Sequence, residues 1–186
     1  VNFLVNYTPK RKMVGYGVDR IDVDLNYPRF FVSYSQGLKG VFDSDFNYSK
    51  LQLYYRQPLL IGGFGRLFST LEIGKTFGAV PLSLMGVIPG NQSYFIIDNT
   101  YNLLNYYDFV ADQYTSLHLE HNFNGKLFSR IPLLRKLNWR EIIGMKAVYG
   151  SVSKENIALN ASGQNYQAPV DGYYEYSVGV GNIFKV

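Results

Sequence analysis

Hydrophobic and polar residues alternate with a period of two along most of this chain. Within residues 67–77, Leu71 and Ile73 fall on one face of an extended chain, whereas Thr70 and Glu72 fall on the other. Successive side chains of a β-strand point to opposite faces, so this pattern predicts strands with one apolar and one polar face. The alternation therefore indicates an all-β chain.

The same pattern recurs along the sequence and sets the expected strand lengths. Strands are predicted at 14–25, 29–35, 46–56, 67–77, 108–123, 139–152 and 172–182. Several span about 10–14 residues, longer than the 5–6 typical of soluble proteins and close to what a tilted transmembrane strand needs. We therefore predict an antiparallel transmembrane β-barrel of about seven or eight long strands.

The predicted connections alternate in length. Short ones lie near residues 26–28 and 57–63, and long ones at 78–107 and 153–171. Short turns at one end and long loops at the other are the layout of an outer-membrane barrel. Residues 102–107 are expected to form a short helical or irregular part of the first long loop.

One connection has a helical pattern instead. Leu127, Ile131 and Leu137 are spaced for one face of a helical turn, and Pro132 limits its regularity. Leu134 shares that face, and basic residues lie between these positions. The segment is expected either to lie against the membrane surface or to cover the end of the barrel.

The chain is rich in tyrosine and phenylalanine. The chain has 17 Tyr and 13 Phe but 1 Trp, and Tyr suits a boundary between apolar and aqueous surroundings. The tyrosines near predicted strand ends are Tyr54, Tyr55, Tyr106, Tyr107, Tyr173, Tyr174 and Tyr176. They are interpreted as an interfacial girdle, with a carbohydrate-stacking surface as the alternative.

Charge and cysteine content exclude other classes. The net charge is +4 without a basic run, so nucleic acid is not expected as a partner. There is no cysteine, which excludes disulfides and thiolate metal sites. No apolar stretch is long enough for a transmembrane helix. Because both ends of residues 1–186 fall in strand-like sequence, we expect part of one barrel domain, truncated at both ends.

The charged side chains of the predicted strands are expected to face a polar lumen, since charge facing lipid is costly. The predicted lumen-facing residues are Arg66, Glu72, Asp108, Asp112, His118, Glu120, Arg140, Lys146 and Glu175. Asp108 and Asp112 lie four residues apart, about 13 Å along a strand, which is too far for a catalytic pair. They are expected instead to form ion pairs with Arg66, Arg140 or Lys146.

No catalytic or metal-binding motif stands out. His118 and His121 would point to opposite faces of a strand, so one metal ion would not easily bind both. The zinc-protease helix spacing, a nucleophile elbow and a phosphate-binding loop are all missing. We therefore expect no enzyme activity, no cofactor and no metal.

Several short blocks of sequence follow one another along the chain: GKTFG at 74–78, YDFVAD at 107–112, LEHNFNG at 119–125, RIPLLRKL at 130–137, WRE at 139–141 and GNIF at 181–184. Together these blocks resemble the C-terminal barrel region of a family of Bacteroidota outer-membrane proteins of unknown function. Members often carry an N-terminal carboxypeptidase-regulatory-like domain, which is not a peptidase. The resemblance implies an Omp85-like barrel that continues past Phe184 with a closing hairpin.

The function that this resemblance implies is non-enzymatic. Omp85-like barrels assemble or export polypeptides, so we expect a translocation or assembly platform in the bacterial outer membrane. Its partners would be outer-membrane lipid and a translocated polypeptide or other envelope proteins. The alternatives are a passive or substrate-specific channel, and a soluble β-barrel binding protein with its apolar face inside. An enzyme embedded in a barrel would need two or more of Asp112, His118, Glu120 and Arg140 to converge.

Overall fold

A computed structural model describes residues 1–23, 26–41, 45–95, 97–161 and 166–183. In chain order its strands are β1 (Asn2–Tyr7), β2 (Met13–Val14), β3 (Ile21–Asp22), β4 (Arg29–Gly37), β5 (Tyr48–Leu60), β6 (Arg66–Phe77), β7 (Gly86–Val87), β8 (Val110–Ala111), β9 (Gln113–Asn122), β10 (Arg140–Ser151) and β11 (Tyr173–Gly181). The helices are α1 (Pro132–Arg135) and α2 (Lys154–Leu159), with short 3-10 turns at Gly62–Phe64, Leu82–Leu84 and Phe128–Arg130.

One antiparallel sheet of seven strands dominates the fold. Its strand order is β1-β4-β5-β6-β9-β10-β11, so consecutive long strands are neighbours. The prediction of an all-β chain with an antiparallel sheet is confirmed. The four central strands, β5, β6, β9 and β10, have 13, 12, 10 and 12 residues. Among the described residues no helix is long and apolar enough to cross a membrane.

The prediction of a strand at residues 14–25 is wrong. The chain there forms only the two-residue strands β2 and β3, which pair with each other outside the main sheet. Gly15 and Gly17 have φ values of 123° and 59°, which bend the chain back. Asp24 and Leu25, at the end of the predicted strand, lie outside the described residues.

The strand predicted at residues 108–123 is divided in two. β8 pairs with β7 rather than with the main sheet, and β9 begins at Gln113. Asp108 lies before β8 in a turn, where its Oδ2 accepts a hydrogen bond of 2.7 Å from the backbone N–H of Asn105. Residues 102–107 are irregular, as one of the two sequence interpretations expected.

The connections follow the predicted alternation in part. Residues 61–65 form a short turn, and the long connections between β6 and β9 and between β10 and β11 lie at the opposite end of the sheet. Residues 123–139, however, add a long connection at the end of the short turn. They contain a 3-10 turn and α1, so the helical pattern predicted there is confirmed. Leu133, which lies outside the predicted apolar face, is 84% exposed, and Leu127, Ile131 and Leu137 of that face are 43%, 46% and 40% exposed.

The two faces of the main sheet differ in chemistry. The cross-strand register gives each face its own set of side chains. We call one the apolar face; it includes Leu51, Leu53, Leu71, Ile73, Leu117, Leu119, Ile143, Met145, Val178 and Val180. We call the other the polar face; it includes Gln52, Arg56, Arg66, Thr70, Glu72, Ser116, His118, Glu120, Lys146 and Glu175.

The hydrophobic core lies on the polar face, beneath a loop. This interior loop, residues 78–95 and 97–107, contributes the buried side chains of Val80, Met85, Ile88, Tyr101 and Leu104. They pack with residues that include Tyr114 and Val148 of the sheet. A Cβ atom at Gly74 would lie 2.3 Å from Cε1 of Tyr114, so this glycine makes room for the ring.

The sheet is open along two edges. β1 and β11 are its outermost strands, and no pairing between them is found within the described residues. All six residues of β1 are exposed. Thus the described chain forms a sheet and not a closed barrel.

Candidate functional site

Tyr101 anchors the interior loop to the polar face. Its side chain is completely buried, and its hydroxyl donates to the backbone oxygen of Ala147 at 2.7 Å. The same hydroxyl lies 2.8 Å from Oγ of Ser116, and the ring lies 4.9 Å from the His118 ring. Burial raises the pKa of the Tyr101 hydroxyl, so it stays protonated and able to donate.

Glu175 binds the loop residues that follow Tyr101. Its Oε2 accepts from the backbone N–H of Asn102, and its Oε1 from that of Leu103, both at 2.8 Å. The Tyr173 hydroxyl also donates to Oε1 at 2.9 Å. A carboxylate that accepts several hydrogen bonds forms a stronger contact than a neutral acceptor. Glu175 therefore provides acceptors for two backbone N–H groups of the loop that do not pair with a strand.

Lys146 and Asn99 make further contacts between loop and sheet. Nζ of Lys146 donates to the backbone oxygen of Thr100 at 2.6 Å. Nδ2 of Asn99 donates to the Tyr54 hydroxyl at 3.2 Å. Together with Tyr101 and Glu175, these contacts hold residues 99–103 against the sheet.

Glu72 belongs to a second cluster on the polar face. Its Oε1 accepts a hydrogen bond of 2.5 Å from the Tyr114 hydroxyl, and Nε2 of Gln52 donates to that hydroxyl at 3.2 Å. Tyr114 in turn packs in the core below the interior loop. Glu72 thus orients a core side chain.

Asp112 joins the interior loop to α2. This carboxylate is 5% exposed, and its Oδ2 accepts from the backbone N–H of Ser153 and from Nδ2 of Asn156, each at 2.8 Å. Oδ1 of Asn156 accepts from the backbone N–H of Val80 at 2.8 Å. Asn156 belongs to no motif in the sequence, and its spacing of four residues from Asn160, which also binds Val80, is the signal that could have identified it.

The prediction that Asp108 and Asp112 form ion pairs with Arg66, Arg140 or Lys146 is wrong. In the part of the chain that the structure describes, the ion pairs are Arg11–Asp22 and Arg56–Asp98. Asp108 accepts from the backbone N–H of Asn105 in the interior loop, and Asp112 accepts from Ser153 and Asn156 at the start of α2, so both carboxylates bind neutral N–H groups instead.

Arg66, Glu120 and Arg140 lie apart from the loop contacts. The register places all three on the polar face, near the end that carries the 61–65 turn. Arg66 and Arg140 line a cavity of ≈ 420 Å³ there, together with Lys126. Among the predicted lumen-facing residues, therefore, Glu72, His118, Lys146 and Glu175 contact or underlie the loop, and Arg66 and Arg140 line this cavity. Glu120 lines a different cavity, of ≈ 250 Å³, together with the loop residues Asp98 and Asn99.

The two histidines lie on opposite faces of the main sheet. Nε2 of His118 lies 3.0 Å from Oγ of Ser116 on the polar face. Nε2 of His121 lies 2.9 Å from the backbone oxygen of Phe64. Within the described residues no group of three His, Asp or Glu side chains could hold a metal ion. No hydrogen bond between described residues joins any two of Asp112, His118, Glu120 and Arg140.

Comparison with known proteins identifies a family. The sequence model of the C-terminal domain of a family of unknown function, DUF5686, matches residues 1–162. The chain therefore belongs to this family, and the expected resemblance to a family of unknown function is confirmed at that level. No curated protein matches the chain, and no solved structure matches it.

Proposed function

We propose that this member of the DUF5686 family forms part of an antiparallel β-barrel in the outer membrane of a Bacteroidota bacterium, related to the Omp85-like barrels. Its apolar face would contact lipid, and its polar face would line the lumen. The observation that carries the proposal is that the apolar face is exposed, while the interior loop covers the part of the polar face around Tyr101 and Glu175.

The exposure of the apolar face is extensive. Leu51, Ile73, Ile143 and Val178 are 43%, 43%, 46% and 86% exposed, and they lie on four different strands. A soluble protein rarely exposes so large a continuous apolar surface, whereas the wall of an outer-membrane barrel requires it. A soluble β-barrel binding protein would have the opposite arrangement, with these side chains inside.

The open edges support a larger assembly. β1 and β11 present backbone N–H and C=O groups without a partner strand in the described chain. Each unpaired group costs several kcal/mol inside a bilayer, so only a closed barrel is stable there. We infer that further strands pair with β1 and β11 in the membrane.

The covered polar face favours a role other than passive conduction. The interior loop fills the space above β6, β9, β10 and β11, and Tyr101 and Glu175 hold it in place. In outer-membrane barrels, an interior plugged by a loop replaces the water-filled channel of a porin. We therefore favour a platform for translocation or assembly of a polypeptide or another envelope component.

Site-directed spin labelling tests the orientation of the sheet. The chain lacks cysteine, so Leu119→Cys and Glu120→Cys give two labels on adjacent residues of β9 that face opposite ways. In the full-length protein in vesicles, the label at 119 should be accessible to oxygen dissolved in lipid. The label at 120 should be accessible to a water-soluble nickel complex instead. If both labels are accessible to the water-soluble nickel complex and not to oxygen in the lipid, the proposal is wrong.

A planar-bilayer recording separates the platform from a channel. The full-length protein should show little steady conductance, because the interior loop occupies the lumen side of the sheet. A large and stable conductance that persists with the native loop would favour the passive or substrate-specific channel instead.

A further inference from the structure

Three arginines line one cavity on the polar face, away from the interior loop anchor. This cavity of ≈ 290 Å³ is bounded by Tyr27, Arg29, Arg56, Pro58, Arg66 and Phe68. The register places Arg29 opposite Arg56, and Pro58 opposite Phe68. The arginines therefore come from three adjacent strands, β4, β5 and β6.

The charges of these arginines are poorly neutralised. Arg29 and Arg56 are direct cross-strand neighbours, an arrangement that is destabilising for like charges. Among the described residues, neither Arg29 nor Arg66 has an ion-pair partner. Arg56 has a loose one, with its Nη2 3.8 Å from Oδ2 of Asp98, whose side chain is 79% exposed.

The nearby carboxylate of Asp22 is bound mainly by another cation and attracts Arg29 more weakly. Its Oδ1 accepts from Nε of Arg11 at 2.6 Å, and its Oδ2 accepts from Nη2 of Arg11 at 3.2 Å. The Tyr27 hydroxyl also donates to Oδ2 at 2.9 Å. Asp22 is therefore already paired with a cation from another part of the chain.

Aromatic side chains hold the arginines in position. Tyr27 is 4% exposed, its hydroxyl accepts from Nη2 of Arg29 at 3.3 Å, and its ring centroid lies 5.0 Å from Cζ of Arg29. The Phe68 ring centroid lies 5.9 Å from Cζ of Arg56 and 5.7 Å from Cζ of Arg66. These cation–π contacts hold the guanidinium groups around the cavity, and because the rings are neutral they leave the positive charges without a counterion.

We propose that this cavity binds the phosphate group of an organic phosphomonoester. The terminal oxygens of a phosphomonoester can accept hydrogen bonds from more than one guanidinium fork, whereas a carboxylate has two oxygens and suits a single fork. Tyr27, Pro58 and Phe68 provide apolar walls for the organic part of the ligand. The site does not depend on the sheet lying in a membrane, so it goes beyond the proposed barrel role.

Isothermal titration calorimetry on the full-length protein in detergent tests the site. Glycerol 3-phosphate is the soluble probe, and short-chain phosphatidic acid presents the same phosphomonoester on a lipid. Each should bind saturably, at about one ligand per chain. Binding of both indicates a site open to soluble ligands, and binding of the lipid alone identifies a headgroup site; either result supports the proposal. Absence of saturable binding by both probes would overturn it.

Matched variants locate the binding to the cavity. Arg66→Gln should weaken binding at least about tenfold, the effect of losing one charge-assisted contact. Arg66→Lys keeps the charge but loses the planar fork, so its binding should remain weaker than that of the native protein. Arg130→Gln changes an exposed arginine outside the cavity and should have no effect. Equal losses in Arg66→Gln and Arg130→Gln, or acetate binding as tight as that of the phosphates, would contradict the proposal.

Discussion

At the scale of single residues, Glu175 illustrates what a strand pattern reveals. Its alternation with Tyr174 and Tyr176 placed it on the polar face, and the register agrees. Its partners, the backbone N–H groups of Asn102 and Leu103, are more than seventy residues away in sequence. No local pattern encodes that contact, because it depends on where the interior loop returns to the sheet.

Glu175→Gln should loosen the interior loop. The substitution replaces a charged acceptor of two loop amides with a neutral side chain that has one oxygen, a loss of about 1–3 kcal/mol. Hydrogen exchange at the amides of Asn102 and Leu103 should therefore accelerate at least about fivefold. Glu120→Gln is the control, since Glu120 lies on the same face and its carboxylate forms no hydrogen bond with the described residues. Unchanged protection of both amides in Glu175→Gln would show that the carboxylate does not hold the loop.

At the scale of elements, the long strands were predictable and the short elements mostly were not. The predicted alternation is found in β4, β5, β6, β10 and β11. It is visible in the sequence because successive side chains of a strand point to opposite faces of the sheet. β2, β3, β7, β8 and α2 are too short to show a period. The position of α2 depends on Asn156, which is 1% exposed and bonded to both Asp112 and Val80.

Asn156→Ala should detach α2 from the interior loop. The change leaves the backbone N–H of Val80 without its acceptor and removes one donor to Asp112, at a cost of about 1–3 kcal/mol for each buried group left unsatisfied. The midpoint of thermal unfolding should fall by several degrees. Ile157→Ala, at the adjacent residue with 51% of its surface exposed, should change the midpoint much less. Equal midpoints for the two variants would argue against a structural role of Asn156.

At the scale of the whole molecule, the sequence defined the two faces but not what covers them. The alternation separates Leu71 and Ile73 from Thr70 and Glu72, and the structure keeps that separation across the sheet. In a soluble β-sandwich the apolar face of the sheet is buried in the core. Here the core lies over the polar face, and core residues such as Tyr101 and Ile88 come from the interior loop. That arrangement follows from long-range packing, which periodicity cannot encode.

The proposed barrel makes a quantitative prediction for the two faces of β11. Val178 is 86% exposed on the apolar face, and Ser177 is the adjacent residue on the polar face. In vesicles, Val178→Lys should destabilise the full-length protein by up to roughly 2–4 kcal/mol, depending on depth, because a charge would face lipid. Ser177→Lys should cost far less, since its charge would face the lumen. Denaturant titration of both variants in vesicles measures the difference. In a soluble protein both positions would be surface sites where lysine is nearly neutral, so equal stabilities would contradict a lipid-facing apolar surface.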